Sequence, residues 1–260
     1  MNKEFEEKLE AVEVKFKRFS EGEESQSSAT IPVEVPFVLY VNRFEVVTFM
    51  CTPKKLDYLV VGFLYSERII SSLDEIDSMD ICEKELLAMV MLKKDWAPPE
   101  KKIATSGCGG GVSFWEEIKL DPVKSEFSIP FSSLVELIKQ LNKNSKLHQI
   151  SGGVHSTALS NGDNITILAE DIGRHNSVDK VLGECLIKGI CMENTVLLTT
   201  GRISSEMVIK VARAKIPVIV SMTSPTSLGI EIADRLGITL VARARGSNIS
   251  VYTHTNRVII

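Results

Sequence analysis

The chain has 260 residues, of which 44% are hydrophobic and 25% charged, and its formal net charge is −4. That length is enough to bury a sizeable core, in one large domain or two small ones. The acidic balance argues against a general nucleic-acid binder, whose affinity comes from basic side chains on phosphates, and no apolar run reaches the ~18–20 residues needed to cross a bilayer.

The segment Met1 to Glu10 is charged and lacks an apolar stretch, so it does not read as a secretory signal. The five cysteines (Cys51, Cys82, Cys108, Cys185, Cys191) are odd in number and show no C-x-x-C spacing. A disulfide framework is not expected, and the setting predicted is reducing and cytoplasmic.

Residues 1–30 are rich in Glu, Lys and Ser. Leu9, Val12, Phe16 and Phe19 are spaced loosely as in a helix, and Ser25 to Ala29 reads as linker, which together predict a flexible N-terminal arm. Residues 31–128 read as a β-rich subdomain. Ile31 to Val41 and Phe44 to Cys51 are strand-like runs joined by a turn at Asn42-Arg43. Pro53 suits the first turn of a helix carrying Leu56, Leu59, Val60, Phe63 and Leu64. Strands are predicted at 76–81 and 86–92. Trp96-Ala97-Pro98-Pro99 then breaks the pattern before a cysteine loop over 103–112.

That loop, Thr105-Ser106-Gly107-Cys108-Gly109-Gly110-Gly111-Val112, sets one thiol among glycines. A core-filling cysteine normally has apolar neighbours at strand or helix spacing. Glycines lose much freedom on ordering, so the loop is expected to present its thiol rather than bury it. The other four cysteines lie in apolar runs and are expected in the core.

Residues 129–260 read as an α/β subdomain. A helix is expected over 129–141, started by Pro130 and Ser132-Ser133. Strands 164–169, 195–199 and 218–222 alternate with helices 175–188, 205–214 and 227–236, and strands near 238–242 and 248–252 close the chain. This alternation argues for a layered α/β sheet.

Four polar loops stand out: Ser151–His155, Glu170–Asn176, Thr199–Glu206 and Ser221–Ser227. The last three follow a strand and open a helix, the edge of an open α/β sheet where ligands bind. Free backbone N–H groups there hold anions, and Arg174 and Arg202 can fork onto phosphate. Alternatives stay open. Ser204 or Thr226 could act only as an N-cap. Asp171 could be a structural partner for Arg174, and His155 and His175 could be core histidines held by carbonyls. The four histidines and five cysteines lack zinc-site spacing, so no metal is expected. Walker A, G-x-G-x-x-G and G-x-S-x-G signatures are absent.

Taken together, these motifs resemble the FdhD family of formate dehydrogenase accessory sulfurtransferases. The likeness runs from about Val33 to Arg257. It rests on Glu34-Val35-Pro36, Gly62-Phe63-Leu64, Ser106-Gly107-Cys108-Gly109 and Gly152-Gly153-Val154-His155. It continues through Glu170 to Asn176 with Asp179-Lys180, Gly201 to Met207, and Val251 to His254, in order and with compatible spacing. The resemblance implies a cytidine-deaminase-like layered α/β fold without the deaminase zinc site, a homodimer, and a persulfide carried on Cys108. A cysteine desulfurase would supply the sulfur. The acceptor would be the molybdenum or tungsten bis-molybdopterin guanine dinucleotide cofactor of formate dehydrogenase, which guanine nucleotides partly mimic. It places cofactor contacts on Arg243-Ala244-Arg245-Gly246-Ser247-Asn248, joined by Asp171, Arg174, His175, Arg202 and Ser204. Many relatives carry C-x-x-C in the cysteine loop; here Gly111 stands at the second position. A cofactor-binding chaperone that carries no sulfur is the alternative.

Overall fold

The computed structural model describes residues 10–98, 103–104, 112–113 and 120–260. Two strands, β1 (Ala11–Ser20) and β2 (Glu23–Pro32), form an antiparallel hairpin. The stretch expected to show helical spacing and then linker is therefore a ribbon. Its turn is Glu21-Gly22, both at positive φ (53° and 87°), the backbone that a tight two-residue hairpin turn requires. Period-two alternation at Val12, Val14 and Phe16 was the missed signal, outweighed in the sequence by the Ser-rich second strand.

β3 (Val35–Val41) and β4 (Phe44–Cys51) follow, joined at Asn42-Arg43 (φ 46° and 74°) as expected. With β5 (Ile76–Cys82) and β6 (Leu87–Leu92) they build a four-stranded sheet in the order β4-β3-β6-β5. Helix α1 (Leu56–Ser66) starts three residues after Pro53, which lies outside it. Phe37, Leu39, Phe49, Leu59, Phe63 and Leu64 fill the core between α1 and one face of this sheet. Two short strands, β7 (Ile103–Ala104) and β8 (Val112–Ser113), pair antiparallel.

The second half begins with β9 (Ile129–Pro130), α2 (Phe131–Asn144) and α3 (Lys146–Ser151), the last in a stretch read as loop. It continues with β10 (His155–Ser160), β11 (Ile165–Asp171), α4 (Arg174–Ile187), β12 (Val196–Thr199) and α5 (Ser205–Arg213). The last elements are β13 (Val218–Ser221), α6 (Ser227–Arg235), β14 (Thr239–Arg245), β15 (Asn248–Val251) and β16 (Val258–Ile259), which pairs with β9. The main sheet has the order β11-β10-β12-β13-β14-β15. β12, β13 and β14 are parallel, and β10 is antiparallel to both β11 and β12. It follows that β11, β12, β13 and β14 all end at one edge.

This sheet is covered on both faces. Leu134, Leu137, Ile138 and Leu141 of α2 pack on Ala158, Leu198, Val220 and Val241. Val178, Val181, Met207, Val211 and Ile232 of α4, α5 and α6 pack on Leu159, Leu197, Ile219 and Leu240. Burial on both faces is why β12 and β13 read as unbroken apolar runs. α1 joins the two halves by crossing α4. Asp179 of α4 holds Lys210 of α5 (2.6 Å) and accepts a hydrogen bond from Ser66 of α1 (2.7 Å). No helix among the described residues is long and apolar enough to cross a membrane.

Candidate functional site

The common edge of β11, β12, β13 and β14 brings together three of the four polar loops, with His155 at the start of β10. Asp171 closes β11 and is fully buried. One carboxylate oxygen accepts from the Gly173 N–H (2.8 Å) and from Asn176 Nδ2 (2.9 Å). The other accepts from the Thr52 N–H (3.1 Å) and from Lys180 Nζ (2.6 Å). Lys180, itself fully buried, also donates to the Thr52 carbonyl (3.0 Å). Every Asp171 oxygen is thus used internally. It thereby positions the start of α4 and forms an ion pair with Lys180.

Arg174 and His175 open α4. Gly201 makes room for Arg174, since a Cβ there would stand 2.8 Å from the arginine Cβ. His175 Nε2 lies 2.9 Å from Glu206 Oε2, off the line of a good hydrogen bond. Burial holds the His175 imidazolium below its usual range and outweighs the opposing pull of Glu206. Burial pushes Glu206 up, but His175, Lys210 and Arg174 together bring it below the usual carboxylate value. At neutral pH the pair is therefore a neutral imidazole beside a carboxylate. His155 is likewise depressed, by burial first and then by Arg174 and His148. Glu206 stands within a motif noted in the sequence, but its pairing with His175 spans two loops that only the fold brings together.

The two candidate caps differ. Thr226 accepts from the Gly229 N–H (3.1 Å) and caps α6. Ser204 occupies the same place on α5, yet its hydroxyl does not cap the helix and, though buried, meets no hydrogen-bond partner among the described residues. An unsatisfied buried hydroxyl is unfavourable unless a ligand or water completes it. Arg202 beside it is exposed.

Further along the edge, Arg243 and Arg245 point outward and line an open cavity of about 340 Å³ with Met222, Thr223 and Ser224. Arg243 is held at φ 52° where β14 departs from regular register. Its N–H donates to the Thr223 carbonyl (2.9 Å) and its Nε to Ser224 Oγ (3.3 Å). A non-glycine residue at positive φ is sustained by its surroundings. Ala244, between the two arginines, is fully buried in the core over α2, so its side chain offers nothing to a ligand. Gly246, Ser247 and Asn248 form the exposed turn into β15.

Cys108 lies outside the described residues; β7 and β8 flank its loop in the sequence. Of the other cysteines, Cys51 and Cys185 are buried, and burial pushes the Cys185 thiol up to about 12. Cys82 is half-buried and Cys191 exposed, so these two depart from the core placement expected of them. Among the described residues no group of three or more His, Cys, Asp or Glu side chains could hold a metal ion.

A family model described as FdhD/NarQ matches residues 32–259. The chain belongs to this family. Among FdhD/NarQ relatives, a protein of Geobacillus kaustophilus named sulfur carrier protein FdhD is 34% identical over 250 residues, covering 94% of this chain and 95% of the relative. The Bacillus subtilis protein of the same name is 33% identical over 251 residues, with 93% and 95% coverage. A crystal structure of a candidate formate dehydrogenase accessory protein from Desulfotalea psychrophila superposes with a TM-score of 0.80 at 29% identity. It covers 96% of this chain and 100% of its own.

Proposed function

We propose that the chain accepts sulfur as a persulfide on Cys108 from a cysteine desulfurase. It then passes that sulfur to the bis-molybdopterin guanine dinucleotide cofactor destined for formate dehydrogenase. The carrying observation is full-length identity of about a third to relatives named sulfur carrier protein FdhD. The first step balances without an external oxidant or reductant. The Cys108 thiolate attacks the outer sulfur of the donor persulfide, a new S–S bond forms, and the donor cysteine leaves as thiolate. Delivery as sulfide needs two electrons, which we assign to a thiol outside the Cys108 loop, because Gly111 occupies the second position.

The molybdenum or tungsten cofactor is the client in this reading. The unpartnered Ser204 hydroxyl and the Arg243–Arg245 cavity suit its phosphate oxygens, with Arg174, His175 and Arg202 on the same edge. Holding the client beside the carrier makes transfer effectively intramolecular. We also read the β11-β10-β12-β13-β14 order as supporting a cytidine-deaminase-like fold, and place the protein in the cytoplasm as a homodimer. Mass spectrometry after incubation with a cysteine desulfurase and cysteine tests the carrier role. One added sulfur on the Cys108 peptide is expected, and Cys108→Ala should abolish both this gain and formate dehydrogenase maturation.

A second reading is favoured by the single thiol of the loop: a chaperone that binds the cofactor without carrying sulfur. It requires that Cys108→Ala still support maturation and bind guanine nucleotide.

A further inference from the structure

Among the described residues, the four-stranded sheet β4-β3-β6-β5 packs on α1 through one face only. A sheet with one face in water normally alternates, apolar inward and polar outward. Its two outer strands are mixed on that face: β4 turns Glu45, Thr48 and Met50 outward, and β5 turns Ser78, Asp80 and Cys82 outward. The two middle strands carry no charged residue there. β3 reads VPFVLYV and β6 reads LAMVML, unbroken apolar runs of the kind found where both faces are covered. Phe37, Leu39, Ala88 and Val90 account for the inner face. The outward row is Val38, Tyr40, Leu87, Met89 and Met91, and the pairings Val38↔Leu87 and Tyr40↔Met89 make it one contiguous patch. Met89 is 51% exposed and Met91 38% exposed.

Two further observations say what covers it. Methionine is flexible and polarisable and recurs on surfaces that receive helices. The patch is also flanked by acid on both sides. Glu45 lies opposite Tyr40 on β4, and Asp80 lies opposite Met89 on β5. β5 and the turn after it add Asp77, Glu83 and Glu85 against Lys84. Among the described residues, the basic group that continues the outward row is Lys93, past the end of β6.

We propose that this face docks a partner protein through an amphipathic helix whose apolar stripe meets Met89 and Met91 and whose flanking lysines or arginines meet Glu45 and Asp80. The proposal is independent of the sulfur-transfer reading, since it uses neither Cys108 nor the sheet edge of the second half.

The test uses the full chain and two fluorescent synthetic peptides of equal length, one a Leu/Lys amphipathic helix and the other its Leu/Glu counterpart. Anisotropy should show salt-sensitive binding of the Leu/Lys peptide. Met89→Lys with Met91→Lys, and separately Asp80→Lys, should weaken it by about tenfold or more. Glu231→Lys, an equal change of charge on the distant α6, should leave it unchanged. Because Met89, Met91 and Asp80 are exposed, the variants should fold, which circular dichroism would check. Equal binding of the Leu/Glu peptide, or equal loss in the Glu231 variant, would overturn the proposal. So would sedimentation showing that the Met89/Met91 variant separates a dimer, because a second copy would then be the occupant.

Discussion

Gly62 of α1 and Gly183 of α4 bring two helix backbones into direct contact. A Cβ on Gly62 would stand 1.8 Å from the Asp179 carbonyl oxygen, and one on Gly183 would stand 1.9 Å from the Tyr58 carbonyl oxygen. Neither obstacle is a side chain that can swing away. Gly62→Ala and Gly183→Ala should each destabilise the fold by about 3 kcal/mol or more, by forcing apart the helices that join the two halves. Urea unfolding measures this, and a wild-type midpoint in either variant would contradict the close crossing.

Lys180 and Asp171 carry charge with neither side chain exposed. Removing one partner strands the other in a low-dielectric interior. Lys180→Met should cost about 3–5 kcal/mol. Asp171→Asn in the same chain should recover part of that loss, because the stranded charge is gone. A double-variant cycle by chemical denaturation checks this, and strict additivity of the two losses would remove the argument for a coupled pair.

Acid should weaken the protein through two half-buried histidines. His155 and His175 are both held below the usual histidine value of 6.5. As the pH falls below 6.5 the unfolded chain protonates first, so it binds more protons than the folded one. The stability that these neutral rings contribute is present above 6.5 and is lost as the pH falls through their folded values. Glu206, held below 4.5, keeps its own contribution until the pH drops below that value. His175→Gln should therefore flatten the decline in urea midpoint between about pH 6.5 and pH 5. An unchanged slope in that variant would show that His175 does not titrate across this window.

Alternation of strands and helices made the second half legible, and the structure keeps the three strand–loop–helix units at 165–187, 196–213 and 218–235. That reading worked because burial on both faces leaves apolar runs bounded by turn residues. The β1–β2 hairpin was missed because its second strand, EESQSSATIP, is chemically indistinguishable from linker until it pairs. Residue type singled out loops that the fold gathers at one sheet edge, but it did not give the direction of each side chain. Asp171 turns inward to Lys180, and Ala244 turns inward between two outward arginines, as strand parity dictates once β14 is placed. That Ser204 leaves its helix uncapped while Thr226 caps its own follows from side-chain geometry, which residue type does not encode.

That contrast between Ser204 and Thr226 sets the last expectation. If the edge holds phosphates, guanosine diphosphate should bind the wild-type chain. Arg245→Ala should then weaken binding by about tenfold, through the loss of a charge-assisted contact. Because Arg245 is exposed, stability should change by no more than about 0.5 kcal/mol. Ser204→Ala should weaken binding less, by about three- to tenfold, and should stabilise or leave unchanged the unliganded protein, since it removes a buried hydroxyl that has no partner. Thr226→Ala should do the reverse, lowering stability by about 1 kcal/mol through loss of a cap, with affinity little changed. Calorimetric titration and thermal unfolding of the three variants separate these roles. Equal behaviour of the Ser204 and Thr226 variants would reduce Ser204 to another cap.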